Sequence, residues 1–236
     1  MLYTRQAVQD NLRNREGKRV FYLGKGDQLT NDARDFLTRE RIEILPADQA
    51  KPQRYRLLNG GYMEEKPEHM THLNGDTLVP KTHPRIQFRG AVDTLEAEIL
   101  LCGLELPRHR EALAEILALT RQILQCEVLE KTLEERPLCG LTETEIRRRS
   151  HFPQEHYGQP HFMPDFADGQ IILRLNKLRT LVRTTELAAQ KAVPHRADLL
   201  KALNRMSSMV YLLMIEEKCT MHNSQCTMNV SAKPTN

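Results

Sequence analysis

The sequence predicts a mainly α-helical protein, a bundle of long helices joined to a small α/β lobe at the N-terminus, and three observations predict it. Apolar residues recur at helical spacing over most of the chain beyond Arg89. Trp is absent and only 5% of residues are aromatic, so the core must be Leu, Ile, Val, Met and Ala, as in a helical bundle. The first 45 residues instead alternate short helix and strand patterns.

In chain order, Thr4 is placed to cap a short helix through RQAVQDNLRN, and Arg19 to Leu23, RVFYL, has strand composition. The GKGD that follows has neither a P-loop nor a dinucleotide fingerprint. Thr30 caps NDARDFLTRE, and Arg41 to Leu45, RIEIL, alternates like a second strand. Strand, helix and strand so close together suggest an α/β lobe; the alternative is a DNA-binding helix pair, but neither helix is rich in base-reading or phosphate-binding side chains. Ala47 to Pro67, turn-rich with Gly60-Gly61, reads as a connector carrying a short strand. The expected domains are residues 1–66 for lobe and connector, 67–216 for the helical domain and 217–236 for a flexible tail.

Within HMTHLNGDTLVPKTHPRIQFRG, Pro80 and Pro84 forbid a long helix and Asn74-Gly75-Asp76 signals a turn. The reading is a loop holding Thr71, His72, Lys81, His83 and Arg85 within reach of one anion, or else an ordinary polar loop. Two amphipathic helices follow, VDTLEAEILLCGLEL up to Pro107 and HREALAEILALTRQILQCEVLEKTLEE up to Pro137, with Asp93 in the first turns where the macrodipole favours a carboxylate. Thr142 and Glu145 form a capping box for ETEIRRRSH, whose Arg147 to Arg149 run reads as solvated. Phe152 to Gly169 is a proline-rich loop with Phe152, Tyr157, Phe162 and Phe166, suited to a lid or binding segment. The five-residue spacing of its His151, His156 and His161 fits no single helix or strand face for a metal.

Ile171 to Gln190 reads as one helix. Its Arg179, Arg183 and Glu186 share a face, beside an apolar stripe of Ile171, Leu175, Leu178, Val182 and Ala189. Two guanidinium forks at the edge of a packed seam suit phosphate or carboxylate; the competing reading is a solvated face with a Glu186 to Arg183 pair. The last helix, ADLLKALNRMSSMVYLLMIEE, has a seam of Leu199, Leu203, Met206, Val210 and Leu213, with Asn204, Ser208 and Tyr211 on one flank. From Lys218 the tail reads as polar and irregular, and its Cys219, Met221, His222 and Cys226 as a disordered end in preference to a soft-metal site.

The net charge of +3 makes no case for a nucleic-acid partner and leaves anionic small ligands open. No apolar run approaches a membrane span and Met1 to Gln6 lacks a signal peptide's regions, so a cytoplasmic protein is expected. Five cysteines without a close CxxC pair fit reduced thiols.

Three separated segments resemble one family. THLNGDTLVPKTHPRIQFRGAVDTLEA is similar to the nucleotide-binding start of the ATP:cob(I)alamin adenosyltransferases of the propanediol-utilisation type, LRTLVRTTE to their Arg-rich helix, and LNRMSSMVYLLM to their Leu-Asn-Arg-Leu-Ser-Asp helix. LTNDARDFL, THL, HPRIQFR and LNRMSSMVY resemble the ethanolamine-utilisation branch more closely. The resemblance implies a bundle of about five helices with ATP at a subunit interface, in a homo-oligomer, trimer or dimer. It implies that Thr71 and Lys81 hold the triphosphate with Mg²⁺, that Arg183 is a further clamp, and that Glu186 and Asn204 contact the nucleotide. It also implies that Arg179 pairs with Asp93 of a neighbouring subunit, and that Phe162, and with it Phe166, faces the cobalamin. The implied partners are ATP, reduced cobalamin, and a corrinoid-dependent lyase or microcompartment proteins. The chain departs from the family at Glu68-His69-Met70, where a glycine loop is usual, at Thr184 and at Ser208. With no cysteine before Cys102, the metal group of some ethanolamine-branch members is not expected. The alternative function is a non-catalytic helical scaffold of a metabolic microcompartment.

Overall fold

The computed structural model describes the backbone of residues 1–15, 17–49 and 55–231, and side chains of 1–15, 17–48 and 55–221. The chain divides into two compact units, Met1–Pro67 and Glu68–Asn236.

The first unit contains β1 (Leu2–Tyr3), α1 (Arg5–Asp10), β2 (Arg13–Arg15), β3 (Lys18–Leu23), β4 (Gln28–Leu29), α2 (Asn31–Arg39), β5 (Glu43–Pro46), β6 (Tyr55–Leu57) and β7 (Tyr62–Met63). Strand β3 pairs in parallel with β5 and antiparallel with β2, and β1 pairs in parallel with β4. Thr4 and Thr30 cap α1 and α2 by accepting from the amides of Ala7 and Ala33. Val8, Phe21, Leu29, Ala33, Phe36, Leu37 and Ile42 close a small core. Part of the expected connector, residues 50–54, lies outside the described residues.

The second unit opens with a hairpin, β8 (Met70–Asn74) and β9 (Thr77–Pro80), turning at Gly75, whose φ of +49° is the left-handed conformation glycine adopts freely. The segment read as a loop is therefore mostly a paired sheet, with Met70, Leu73, Leu78 and Val79 buried. Six helices follow: α3 (Pro84–Glu105), α4 (Arg110–Val128), α5 (Glu143–His151), α6 (Pro153–Tyr157), α7 (Gly169–Ala192) and α8 (Ala197–Ser231). Helix α3 packs on α4 and α7, and α8 packs on α7, α5 and α4. The expected stripes meet in one core: Leu175, Leu178, Val182 and Ala189 of α7 with Leu199, Leu203, Met206, Val210 and Leu213 of α8. The box of Thr142 and Glu145 caps α5 as expected.

The structure corrects the sequence reading at five places. Pro84 does not interrupt α3; it begins it, because the first helical position needs no N–H. Asp93 consequently lies beyond the first two turns, outside the reach of the helix dipole. Helix α4 stops at Val128 instead of continuing towards Pro137. Arg196 donates to the carbonyls of Cys126 (3.4 Å) and Lys131 (2.6 Å), and Asp198 accepts the Leu133 amide at 2.9 Å, so groups that would extend the helix are satisfied elsewhere while Leu133 enters the core. The long loop contains α6, ended by Gly158 at φ +67°. Finally, α8 remains helical to Ser231 through the stretch read as irregular; the side chains of His222 and Cys226 lie outside the described residues.

Cys102 is buried and Cys139 partly buried in this unit. Burial first, then the nearby Glu98 carboxylate, pushes Cys102 up to about 11, and burial followed by Glu115 pushes Cys139 up to about 12.

Candidate functional site

The charged stripe of α7 is built as the helical period requires, and its partners decide its role. Glu186 is half-buried and accepts a hydrogen bond from Asn204 Nδ2 at 3.0 Å, tying α7 to α8. The Glu186 to Arg183 pair of the competing reading is not formed among the described residues. Arg183 is exposed one turn earlier. A further turn back, Arg179 is half-buried and donates through Nε and Nη2 to Asn176 Oδ1 at 3.2 and 3.0 Å. Its partner is a neutral amide, so the positive charge is left uncompensated locally. Burial, and then the adjacent Arg183 charge, pull the Arg179 guanidinium below its ordinary pKa.

Arg179 and Asn176 line an open cleft of about 430 Å³ with His161, Phe162, Met163, Pro164, Tyr211 and Met214. Of the two aromatics singled out in the sequence, Phe162 belongs to this cleft. Phe166 does not line it and is 95% exposed. Tyr211 meets both His161 and Phe162: its hydroxyl lies 3.1 Å from His161 Nδ1 and accepts the Phe162 amide at 3.3 Å. Its ring stacks near theirs, with centroids 5.9 and 6.0 Å away. Lys218 Nζ sits 5.3 Å from the centre of the Phe162 ring.

The hairpin places Thr71 opposite Val79, and Lys81, just past β9, is exposed with Nζ 3.9 Å from Glu68. Asp93 is exposed on α3. Among the described residues, no hydrogen bond or ion pair joins Thr71, Lys81 or Asp93 to Arg183 or Asn204. The anion cluster read from the loop does not form as a unit. Arg85 turns away to the fully buried Glu127, and also donates to Glu130 Oε1 at 3.0 Å and the Glu127 carbonyl at 2.9 Å. His83 caps α3 by accepting from the Arg85 amide at 3.2 Å, and burial, then the Arg85 and Arg89 charges, keep its pKa low. Sequence reasoning missed Asn176, Tyr211's double contact, and the buried Glu98 that binds Arg174 and Lys177 at 3.0 Å each. The spacing of Arg174 and Lys177 on α7 was the available signal; it does not say which carboxylate on α3 they would meet.

Among the described residues Arg179 and Arg183 meet no carboxylate, and Arg179 itself lines the aromatic cleft, an arrangement able to receive an anion beside a large flat or apolar ligand. The family model for cobalamin adenosyltransferase matches residues 61–217, and the chain belongs to that family. It is similar to Corrinoid adenosyltransferase EutT of Salmonella typhimurium LT2, with 37% identity over 230 residues covering 85% of this chain and 86% of the relative. It is also similar to Corrinoid adenosyltransferase EutT of Escherichia coli K12, with 35% identity over 158 residues, 64% of this chain and 59% of the relative.

Proposed function

We propose that the chain transfers the 5′-deoxyadenosyl group of ATP to the cobalt of cob(I)alamin, giving adenosylcobalamin and triphosphate, and so supplies a corrinoid-dependent lyase of ethanolamine breakdown. The cobalt lone pair attacks C5′, the C5′–O bond breaks, and triphosphate departs with that bond's electrons. Cobalt is the nucleophile, so the protein's own task is alignment and charge stabilisation. The observation that carries the reading is Arg183: exposed, unmatched by a carboxylate, and one turn from the Glu186 to Asn204 hydrogen bond that marks the nucleotide edge.

In this reading α3, α4, α5, α7 and α8 form the family's five-helix bundle, and two copies or three assemble with ATP between them. Thr71, Lys81 and Arg183 hold the triphosphate while Glu186 and Asn204 contact the nucleoside. Arg179, whose charge meets no carboxylate among the described residues, pairs with Asp93 of the partner subunit. Phe162 faces the corrinoid, with Phe166 as a second aromatic at its edge. Mg²⁺ fits this donor set as a companion of the triphosphate, because it prefers phosphate oxygens and waters to an all-protein cage, and its charge would offset the leaving group's. Microcompartment enclosure fits the proposed pathway. No helix among the described residues is long and apolar enough to cross a membrane.

The test is ATP-dependent formation of light-sensitive adenosylcobalamin by the intact protein and by Arg183→Ala. The reading requires activity in the first and a loss of about 10²-fold in the second.

A further inference from the structure

We propose that Tyr211 is a positioning residue whose hydroxyl fixes the segment 159–164 over the cleft, setting the placement of Phe162. The proposal rests on the reading of Phe162 as the corrinoid-facing aromatic, which by the family resemblance displaces the lower axial ligand of cob(II)alamin, and adds the group that holds it there.

His161 Nε2 lies 3.1 Å from the carbonyl oxygen of His151, and a carbonyl only accepts, so Nε2 carries a proton. In the neutral ring Nδ1 is then the acceptor, and the group 3.1 Å away is the Tyr211 hydroxyl. Tyr211 therefore donates to His161 while accepting the Phe162 amide, and one hydroxyl fixes two consecutive residues in opposite senses. Residues 159–164 have no regular secondary structure, and three hydrogen bonds among the described residues hold them; two of these end on Tyr211. Pro160 and Pro164 bracket the stretch and supply no amide donors.

The helix adds the spacing. Tyr211 follows Asn204 by seven residues, two turns, so the two side chains leave α8 in nearly the same direction about 10 Å apart along the axis. On α7, Arg179 precedes Glu186 by the same interval. The seam thus presents a nucleotide end, Glu186 with Asn204, and a cleft end, Arg179 with Tyr211. A strut on the rigid helix, rather than on the irregular segment itself, ties Phe162 to the register of the nucleotide contacts.

The full-length Tyr211→Phe variant tests this, because it keeps the ring in the stack and removes only the hydroxyl. Adenosylation is measured from cob(II)alamin with a mild one-electron reductant, and separately from cobalamin already reduced to cob(I)alamin. Cobalt(I) carries no lower ligand, so the second route does not need an aromatic to displace one. The expected result is a fall of about tenfold in the first route, the order of the hydroxyl's lost hydrogen bonds, with the second within about twofold. Binding of cob(II)alamin to the ATP-loaded variant should also lose the absorption change that marks departure of the lower ligand. His161→Leu, at an exposed position, removes the acceptor of the Tyr211 hydroxyl together with the Nε2 donor to the His151 carbonyl, and should move the same readouts the same way. Equal losses in both routes, or none in either, overturn the proposal. Hydrogen exchange at the Phe162 amide separates the two levels of the argument: fast exchange in the wild type overturns the strut. Slow exchange that Tyr211→Phe accelerates, in a protein where Phe162→Ala keeps both routes, overturns the role of Phe162 instead.

Discussion

Arg85 and Arg89 on α3, and Arg179 and Arg183 on α7, share a residue type, a four-residue spacing and a long helix, and the fold uses them in opposite ways. The first pair converges on Glu127, which is fully buried on α4; Arg89 Nε reaches Glu127 Oε2 at 2.7 Å. Burial works against charge at Arg85, but hydrogen bonds to Glu127 and Glu130 outweigh it and hold its pKa above the ordinary value. The second pair meets an amide and solvent, and the Arg179 pKa moves down. An arginine pair closed by a carboxylate belongs to the fold; one held by a neutral group keeps its charge for something else. The Arg85 pKa moves up and the Arg179 pKa down, a contrast that spacing alone does not give.

Removing the carboxylate should break the comparison most severely. Glu127→Ala leaves the largely buried Arg89 without a carboxylate and Arg85 with only Glu130 and a carbonyl, and chemical denaturation should register a loss of about 3 kcal/mol. Arg183→Ala should do the reverse. Its adenosylation rate should fall about 10²-fold, equivalent to roughly 2.7 kcal/mol, while denaturation midpoints shift by no more than about 0.5 kcal/mol. If Arg183→Ala unfolds the protein and Glu127→Ala leaves it intact, the assignment of the two pairs is backwards.

A smaller effect is expected at Asn204→Ala, which strips Glu186 of its donor; a loss near 1 kcal/mol in stability and a weaker apparent affinity for ATP would place the residue in both roles. The smallest effect sharpens the closed type. Arg196 Nη2 donates to Asp198 Oδ2 at 2.8 Å, and that bond leads the causes that hold the Asp198 carboxyl down to about 2. A depressed carboxyl contributes stability that is fully present above its ordinary value near 3.8 and is lost as the pH falls through about 2. Melting temperatures measured between pH 5 and pH 2 should therefore drop more steeply for the wild type than for Asp198→Asn.

Most of the helical unit was legible because its code is local. Leu175, Leu178 and Val182, like Leu203, Met206 and Val210, repeat at the helix period, and all are buried where that period says they should be. Caps at Thr4, Thr30 and Thr142 were equally plain, since the capping oxygen and its amide lie three residues apart. What escaped was non-local. Leu129 to Pro137 has respectable helical composition, and Arg196 and Asp198, more than sixty residues on, claim part of its backbone. The same holds at the site. Arg179, Arg183 and Glu186 could be placed on one face from spacing, but that Asn204 would complete Glu186, or that Tyr211 would seize a segment fifty residues earlier, depends on which helices become neighbours. Thr71 and Lys81 were singled out by the polar segment that holds them and given their triphosphate role by family likeness, and the hairpin that carries Thr71 and ends just before Lys81 follows from the Asn74-Gly75 turn.

The raised thiols of Cys102 and Cys139 bear on the handling of a cobalt-containing substrate. Metals of this kind take up thiolate readily, and a corrinoid intercepted by sulfur is withdrawn from alkylation. Pushed up to about 11 and about 12, both groups favour the protonated form, the weaker ligand. The same property makes them slow targets for iodoacetamide.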